Sequence, residues 1–112
     1  MVKNYCPKRG DIVLVNFSPH IGKEQSGIRP ALTISPQKYN EKVGLRLFCP
    51  ITSIIKNYPF EVLLPDYLKT KGVILTDHIK NFDWTERKAI FLEKIPPNIL
   101  ENVIEKLTSL IK

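Results

Sequence analysis

The sequence predicts a mainly β (α+β) fold, a small barrel or sandwich of short strands completed by one C-terminal amphipathic helix. Three observations predict it. Apolar runs of strand length recur at residues 11 to 17, 30 to 35, 44 to 49, 59 to 64, 72 to 75 and 89 to 92, with turn signals between them. Pro7, Pro19, Pro30, Pro36, Pro50, Pro59 and Pro65 are expected mostly at the edges of these runs, where a missing backbone donor does little harm to a ladder. After Pro96-Pro97 the apolar spacing lengthens to three and four residues, through Ile99, Leu100, Val103, Ile104, Leu107, Leu110 and Ile111, which is the period of a helix face.

The first run, Asp11-Ile-Val-Leu-Val-Asn-Phe17, and the second, Ala31-Leu-Thr-Ile-Ser35, flank a polar loop bounded by Gly22 and Gly27. The loop is long enough to lie over a site beneath it. The third run, Leu47-Phe-Cys49, leads into Pro50-Ile-Thr-Ser53, where a strand should end. Between Lys69 and Lys80 the pattern gives a turn, a short apolar run and a polar segment, with a brief helical turn after Thr76. The paired prolines suit the first turn of the final helix, whose apolar face is expected on the sheet or on a second subunit.

A chain of 112 residues with 43% hydrophobic residues supports one core, so residues 1–112 are read as a single domain. No apolar stretch reaches membrane-span length and no secretory pattern opens the chain, which predicts a cytoplasmic protein. Cys6 and Cys49 lack metal or disulfide-scaffold spacing and read as thiols in a reducing compartment. The formal charge of +6 favours polyanionic partners. His20 and His78 stand far apart without metal-ligand neighbours, and no Walker loop, dinucleotide fingerprint or nucleophile elbow occurs. Neither a metal nor another cofactor is expected.

Arg29 is the sharpest candidate. Pro30 biases it to an extended backbone, and a guanidinium is a permanently charged fork that matches phosphate; an ion pair with Glu24 or Asp11 is the competing use. Thr52, at its strand end, is either a second donor to the same phosphoryl oxygen or a β-branched strand residue. Cleavage of RNA through its 2′-hydroxyl needs a proton acceptor, stabilisation of charge on five-coordinate phosphorus and a proton for the leaving 5′-oxygen. Arg29 and Thr52 suit the second need, and Glu24 is the nearby carboxylate that could accept a proton.

Gly10-Asp11-Ile-Val-Leu-Val, Gly22-x-Glu24-Gln25-x-Gly27-x-Arg29-Pro30-Ala31, Ser35-Pro36, Tyr39-Asn40, Pro50-x-Thr52 and Tyr58-Pro59-Phe60-Glu61-Val62 occur in order, and this series resembles the MazF/PemK family of toxin endoribonucleases. The resemblance implies an SH3-like barrel, usually a homodimer, that cuts single-stranded messenger RNA without a metal and leaves 2′,3′-cyclic phosphate and 5′-hydroxyl ends. It implies Arg29 and Thr52 as the catalytic pair, with Glu24 auxiliary, and an acidic antitoxin as partner. Lys23, Gln25, Ser53, Lys56, Asp77, His78 and Lys80 are the expected RNA contacts, with Arg87 a further candidate. His78 could read a base, take a proton or be structural; Phe82 and Trp84 could stack on a base or belong to the core. A gyrase-poisoning toxin resembling CcdB is disfavoured because the chain ends Ser109-Leu110-Ile111-Lys112 and not Trp-Gly-Ile. A catalytically silent RNA-binding barrel would keep the basic surface without needing both Arg29 and Thr52.

Overall fold

The computed structural model describes residues 5–17, 27–36, 38, 42, 45–84 and 86–112. Among the described residues, seven strands, β1 (Asp11–Asn16), β2 (Ile28–Thr33), β3 (Leu45–Thr52), β4 (Glu61–Leu63), β5 (Val73–Leu75), β6 (Lys80–Asp83) and β7 (Ile90–Lys94), precede a C-terminal helix, α1 (Pro97–Ile111). A 3-10 turn at Thr76–His78 links β5 to β6. The strands are hydrogen-bonded in the order β4-β5-β3-β2-β1-β7, with β6 on β3 off that path, and every pair is antiparallel. Among the described residues the path does not close between its ends, so the sheet is open where the resemblance implies a closed barrel.

β3 is the hub. Its first half pairs with β6, its middle with β2, and its last two residues with β5. Pro50 lies inside β3 and Pro30 inside β2, away from the run edges expected for them. The position of Pro50 has a physical reason: Ala31 opposite Pro50 is the last β2–β3 pair, and Ile51 opposite Ile74 begins β3–β5. A residue without an N–H therefore stands where the ladder changes partner.

Strand alternation sorts the side chains onto two apolar faces. Ile12, Leu32, Cys49 and Ile51 belong to one cluster, onto which Ile99, Leu100, Val103, Ile104 and Leu107 of α1 pack. Val13, Val15, Ala31 and Phe48 point the other way and join Phe17 and Phe82. Burial on both faces explains why the central strands read as nearly continuous apolar runs. The helix starts at its prolines as expected, with Pro96 as N-cap. Of the seven apolar positions expected on its face, Leu110 and Ile111 remain exposed.

Candidate functional site

β2 and β3 part beyond the Ala31–Pro50 pair. The same register carried two residues further would set Arg29 against Thr52 where the strands separate; Arg29 does not line the recess that Thr52 lines. Arg29 is half-buried and lies opposite Val15 of β1. Thr52 is buried and pairs with Val73 on its other side. Its Oγ1 accepts the Ile54 N–H at 3.2 Å, which leaves the hydroxyl proton available as a donor.

The Thr52 backbone is fixed from behind by Gly72. That glycine has φ +113, and a Cβ there would stand 2.0 Å from the Thr52 carbonyl oxygen. No side chain fits so close, and the left-handed backbone excludes most residues independently.

Thr52, Lys56, Tyr58, Glu61 and His78, with Ile54 and Leu75, line a cavity of about 90 Å³. Tyr58 and Glu61 also line a wider depression of about 490 Å³ with Ile55, Asn57, Leu63 and Lys106. The pair therefore forms the wall between a small polar recess and a larger, more apolar one.

Glu61 builds that wall by reaching back along the chain. Its carboxylate accepts the Lys56 N–H at 3.1 and 3.2 Å and the Asn57 N–H at 2.8 Å. These charge-assisted bonds hold Asn57 in a left-handed conformation at φ 61. Tyr58 donates its phenolic proton to Asp77 Oδ1 at 2.6 Å. Burial, and then the Asp77 carboxylate, push the Tyr58 hydroxyl above the ordinary tyrosine range, so it stays a donor throughout the physiological range. Lys106 of α1 donates to the Pro59 carbonyl at 2.6 Å and fastens the same loop to the helix.

The fold thus gathers Thr52, Lys56 and His78 in one recess and ties Asp77 to it through Tyr58. Ser53 follows Thr52 at the surface. Lys80 lies on β6 opposite Phe48 and does not line the recess. Arg87 lies 4.4 Å over the Phe82 ring and donates to the Asn16 carbonyl at 3.1 Å. Phe82 is a core residue, 5.1 Å from Phe17 between ring centroids. Lys23, Glu24 and Gln25 lie outside the described residues. Asp11 bonds Lys94 at 2.7 Å. Glu61 and Tyr58 belong to the motif series, which assigns them no role, and Gly72 lies in the turn expected between Lys69 and Lys80. Among the described residues no three His, Cys, Asp or Glu side chains gather as a metal site requires.

The sequence profile of the PemK-like, MazF-like toxins of type II toxin-antitoxin systems matches residues 8–111. The endoribonuclease toxin MazF of Escherichia coli K12 is 40% identical over 111 residues, 99% of each chain. A crystal structure of MazF from Deinococcus radiodurans shares 47% identity and superposes with a TM-score of 0.93, covering 96% of this chain and 98% of that one. A MazE–MazF complex from the same organism gives 0.87 at 47% identity, covering 96% and 97%. Sheet, helix and full-length likeness define the class, a small toxin built on an antiparallel sheet. The chain belongs to the PemK-like, MazF-like family of type II toxin-antitoxin systems.

Proposed function

We propose that this toxin is an endoribonuclease that cuts single-stranded messenger RNA at the opening between β2 and β3. The observation that supports the reading is the β2–β3 register, which ends at Ala31–Pro50 and, carried two residues further, sets Arg29 against Thr52, in a chain that matches endoribonuclease toxins along its whole length. The RNA 2′-oxygen attacks phosphorus, the bond to the 5′-oxygen breaks, and the products carry a 2′,3′-cyclic phosphate and a 5′-hydroxyl. Arg29 stabilises the charge on the phosphoryl oxygens and Thr52 donates to the same group. Glu24 is the proposed proton acceptor. His78 shares the recess with Thr52 and is the second group able to move a proton there. No metal enters the proposed reaction.

The basic charge supports two polyanionic partners in turn, the RNA and an acidic antitoxin that covers the same surface. The related MazF solved with MazE supports the second. Exposed Ile28, Ile90, Phe91 and Leu92, the last three on edge strand β7, support a homodimer. The fold itself is read as an open form of the SH3-like barrel because β3 passes between two sets of partners. The protein is placed in the cytoplasm with its substrate, as one domain.

The test is cleavage of a long single-stranded RNA in excess chelator, with cut sites and end groups mapped. Cyclic-phosphate ends at short defined sequences are expected. Abolition of cutting by the chelator sinks the metal-free reaction, and normal cutting by both Arg29→Ala and Thr52→Ala sinks the site. Sedimentation of the purified toxin at micromolar concentration tests the dimer.

A further inference from the structure

Glu93 stands where an unbroken strand would not put it. β7 pairs with β1 at Asp11–Lys94, Ile12–Glu93, Val13–Phe91 and Leu14–Ile90, so Leu92 has no counterpart. Without that extra residue Phe91 and Glu93 would share a face of the sheet. The bulge turns them apart. Phe91 falls opposite Val13, on the face where its ring meets Tyr5 at 5.9 Å between centroids. Glu93 falls opposite Ile12, on the face that carries Leu64 and Leu68. A carboxylate is thereby aimed at the connection between β4 and β5.

In that connection, residues 64–72, Leu64 donates to the Gly72 carbonyl at 2.9 Å and Leu68 is sunk in the helix-side core. Between the Leu68 anchor and Gly72 the backbone is held by Glu93. Its Oε1 accepts the Lys69 N–H at 3.2 Å and its Oε2 accepts the Thr70 N–H at 2.6 Å. Thr70 is buried, so loss of the carboxylate would leave an amide without an acceptor away from water. Gly72 then carries the chain past the Thr52 carbonyl at a separation no side chain fits, and Val73 pairs with Thr52 itself. β4 and β5 lie at one end of the strand path and β7 at the other. One side chain joins the two ends, two residues along the chain from the glycine behind Thr52.

On the reading that Thr52 donates to the phosphoryl group, we propose that Glu93 is a positioning residue for it, holding the 69–72 backbone so that Gly72 stays pressed behind the Thr52 carbonyl. Glu93 lines neither the small recess nor the wider depression beside it. Its effect on cleavage passes through the backbone. Displacement of a catalytic group by about 1 Å can cost on the order of 100-fold in rate; with Leu68 still anchored, the displacement and the loss are smaller.

The test is single-turnover cleavage of one mapped single-stranded RNA site by the full chain, by Glu93→Ala and by Glu93→Gln, at matched folded fraction. Glu93→Ala is expected to lower the saturating rate about tenfold while the half-saturating RNA concentration stays within about twofold. Glu93→Gln keeps one acceptor oxygen and should recover part of the loss. A staple that served stability alone would lower the folded fraction and leave the rate of the folded toxin unchanged. Amide hydrogen exchange reads the link without RNA. The Ile54 N–H, bonded to Thr52 Oγ1, should exchange about fivefold faster or more in Glu93→Ala, beyond any change at the core amide of Val103, which reports global opening. A saturating rate within about twofold of wild type overturns the proposal, as does an Ile54 amide that only follows Val103. Thr52→Ala runs beside these variants. If it cuts normally, the catalytic reading of Thr52 falls and the proposal with it; if it is silent while Glu93→Ala is fully active, the role of Glu93 alone is overturned.

Discussion

β3 buries a polar side chain at each end and treats the two in opposite ways. Near its C-terminal end Thr52 accepts a hydrogen bond from Ile54, and its carbonyl rests against Gly72. Near its N-terminal end Arg46 has ring faces and no acceptor. Burial alone therefore does not separate a placed functional group from an unsettled one. The partner count does: a satisfied group is held in one geometry, whereas an orphaned charge weakens the fold that contains it.

The largest effects belong to the satisfied end. Arg29→Ala and Thr52→Ala should each lower RNA cleavage by about 100- to 1,000-fold, while Thr52→Ala shifts stability by no more than about 1 kcal/mol. Single-turnover cleavage and a denaturant curve on each variant measure both; a Thr52 variant that cuts within twofold of wild type removes the contrast.

Gly72→Ala tests whether that end is fixed from behind. The strained backbone and the approach to the Thr52 carbonyl should together destabilise the protein by about 2 to 4 kcal/mol. Cleavage should fall even where the folded fraction is matched. Arg46→Met should act in the reverse sense, stabilising by about 1 to 4 kcal/mol with cleavage unchanged. A lower melting temperature for that variant would mean that the guanidinium is compensated and that the two ends are alike.

Two smaller tests sharpen the picture. Glu61→Gln leaves one oxygen to accept from the Lys56 and Asn57 amides and replaces the other acceptor by an NH2 donor; it should cost about 1 kcal/mol or more, with a change in which RNA sequences are cut. In Asp11, burial alone would raise the carboxyl, but Lys94, Tyr5 and the Lys8 amide outweigh it and hold it below the ordinary range. Glu93 is likewise lowered against its own desolvation, by Thr70 and the Lys69 amide. Groups held below their unfolded values contribute fully above about pH 4.5, and the contribution shrinks as pH falls through the folded values. Melting temperature should drop on acidification below that point, and Asp11→Asn should flatten the drop.

Much of this was legible from local pattern. The helix announces itself by a change of period after a proline pair, and β1 to β3 by apolar runs that owe their continuity to burial on both faces. Arg29 stands out through Pro30, and Thr52 through its place at a strand end. β6 was missed because Lys80-Asn-Phe-Asp83 has one apolar residue, Phe82, and is held by pairing with β3 more than by its own pattern. Pro50 within a strand was misread because the exchange of partners it permits is a property of the sheet. Glu61 bonds amides four and five residues back, and Gly72 is constrained by a carbonyl twenty residues away; neither relation leaves a periodic trace. Arg46 sits on a core face set by alternation with Phe48, a conflict visible only once the direction of that face is known.

Gly72 also limits how this toxin can drift. A backbone that no side chain can occupy makes its codon intolerant of substitution whatever the chemistry of the newcomer, unlike a surface lysine that accepts many replacements. Saturation of position 72 followed by selection for growth arrest should return glycine almost alone. Survivors of toxin expression should be enriched for changes there that never touch Arg29 or Thr52, so that loss of poisoning would begin at a residue with no functional group.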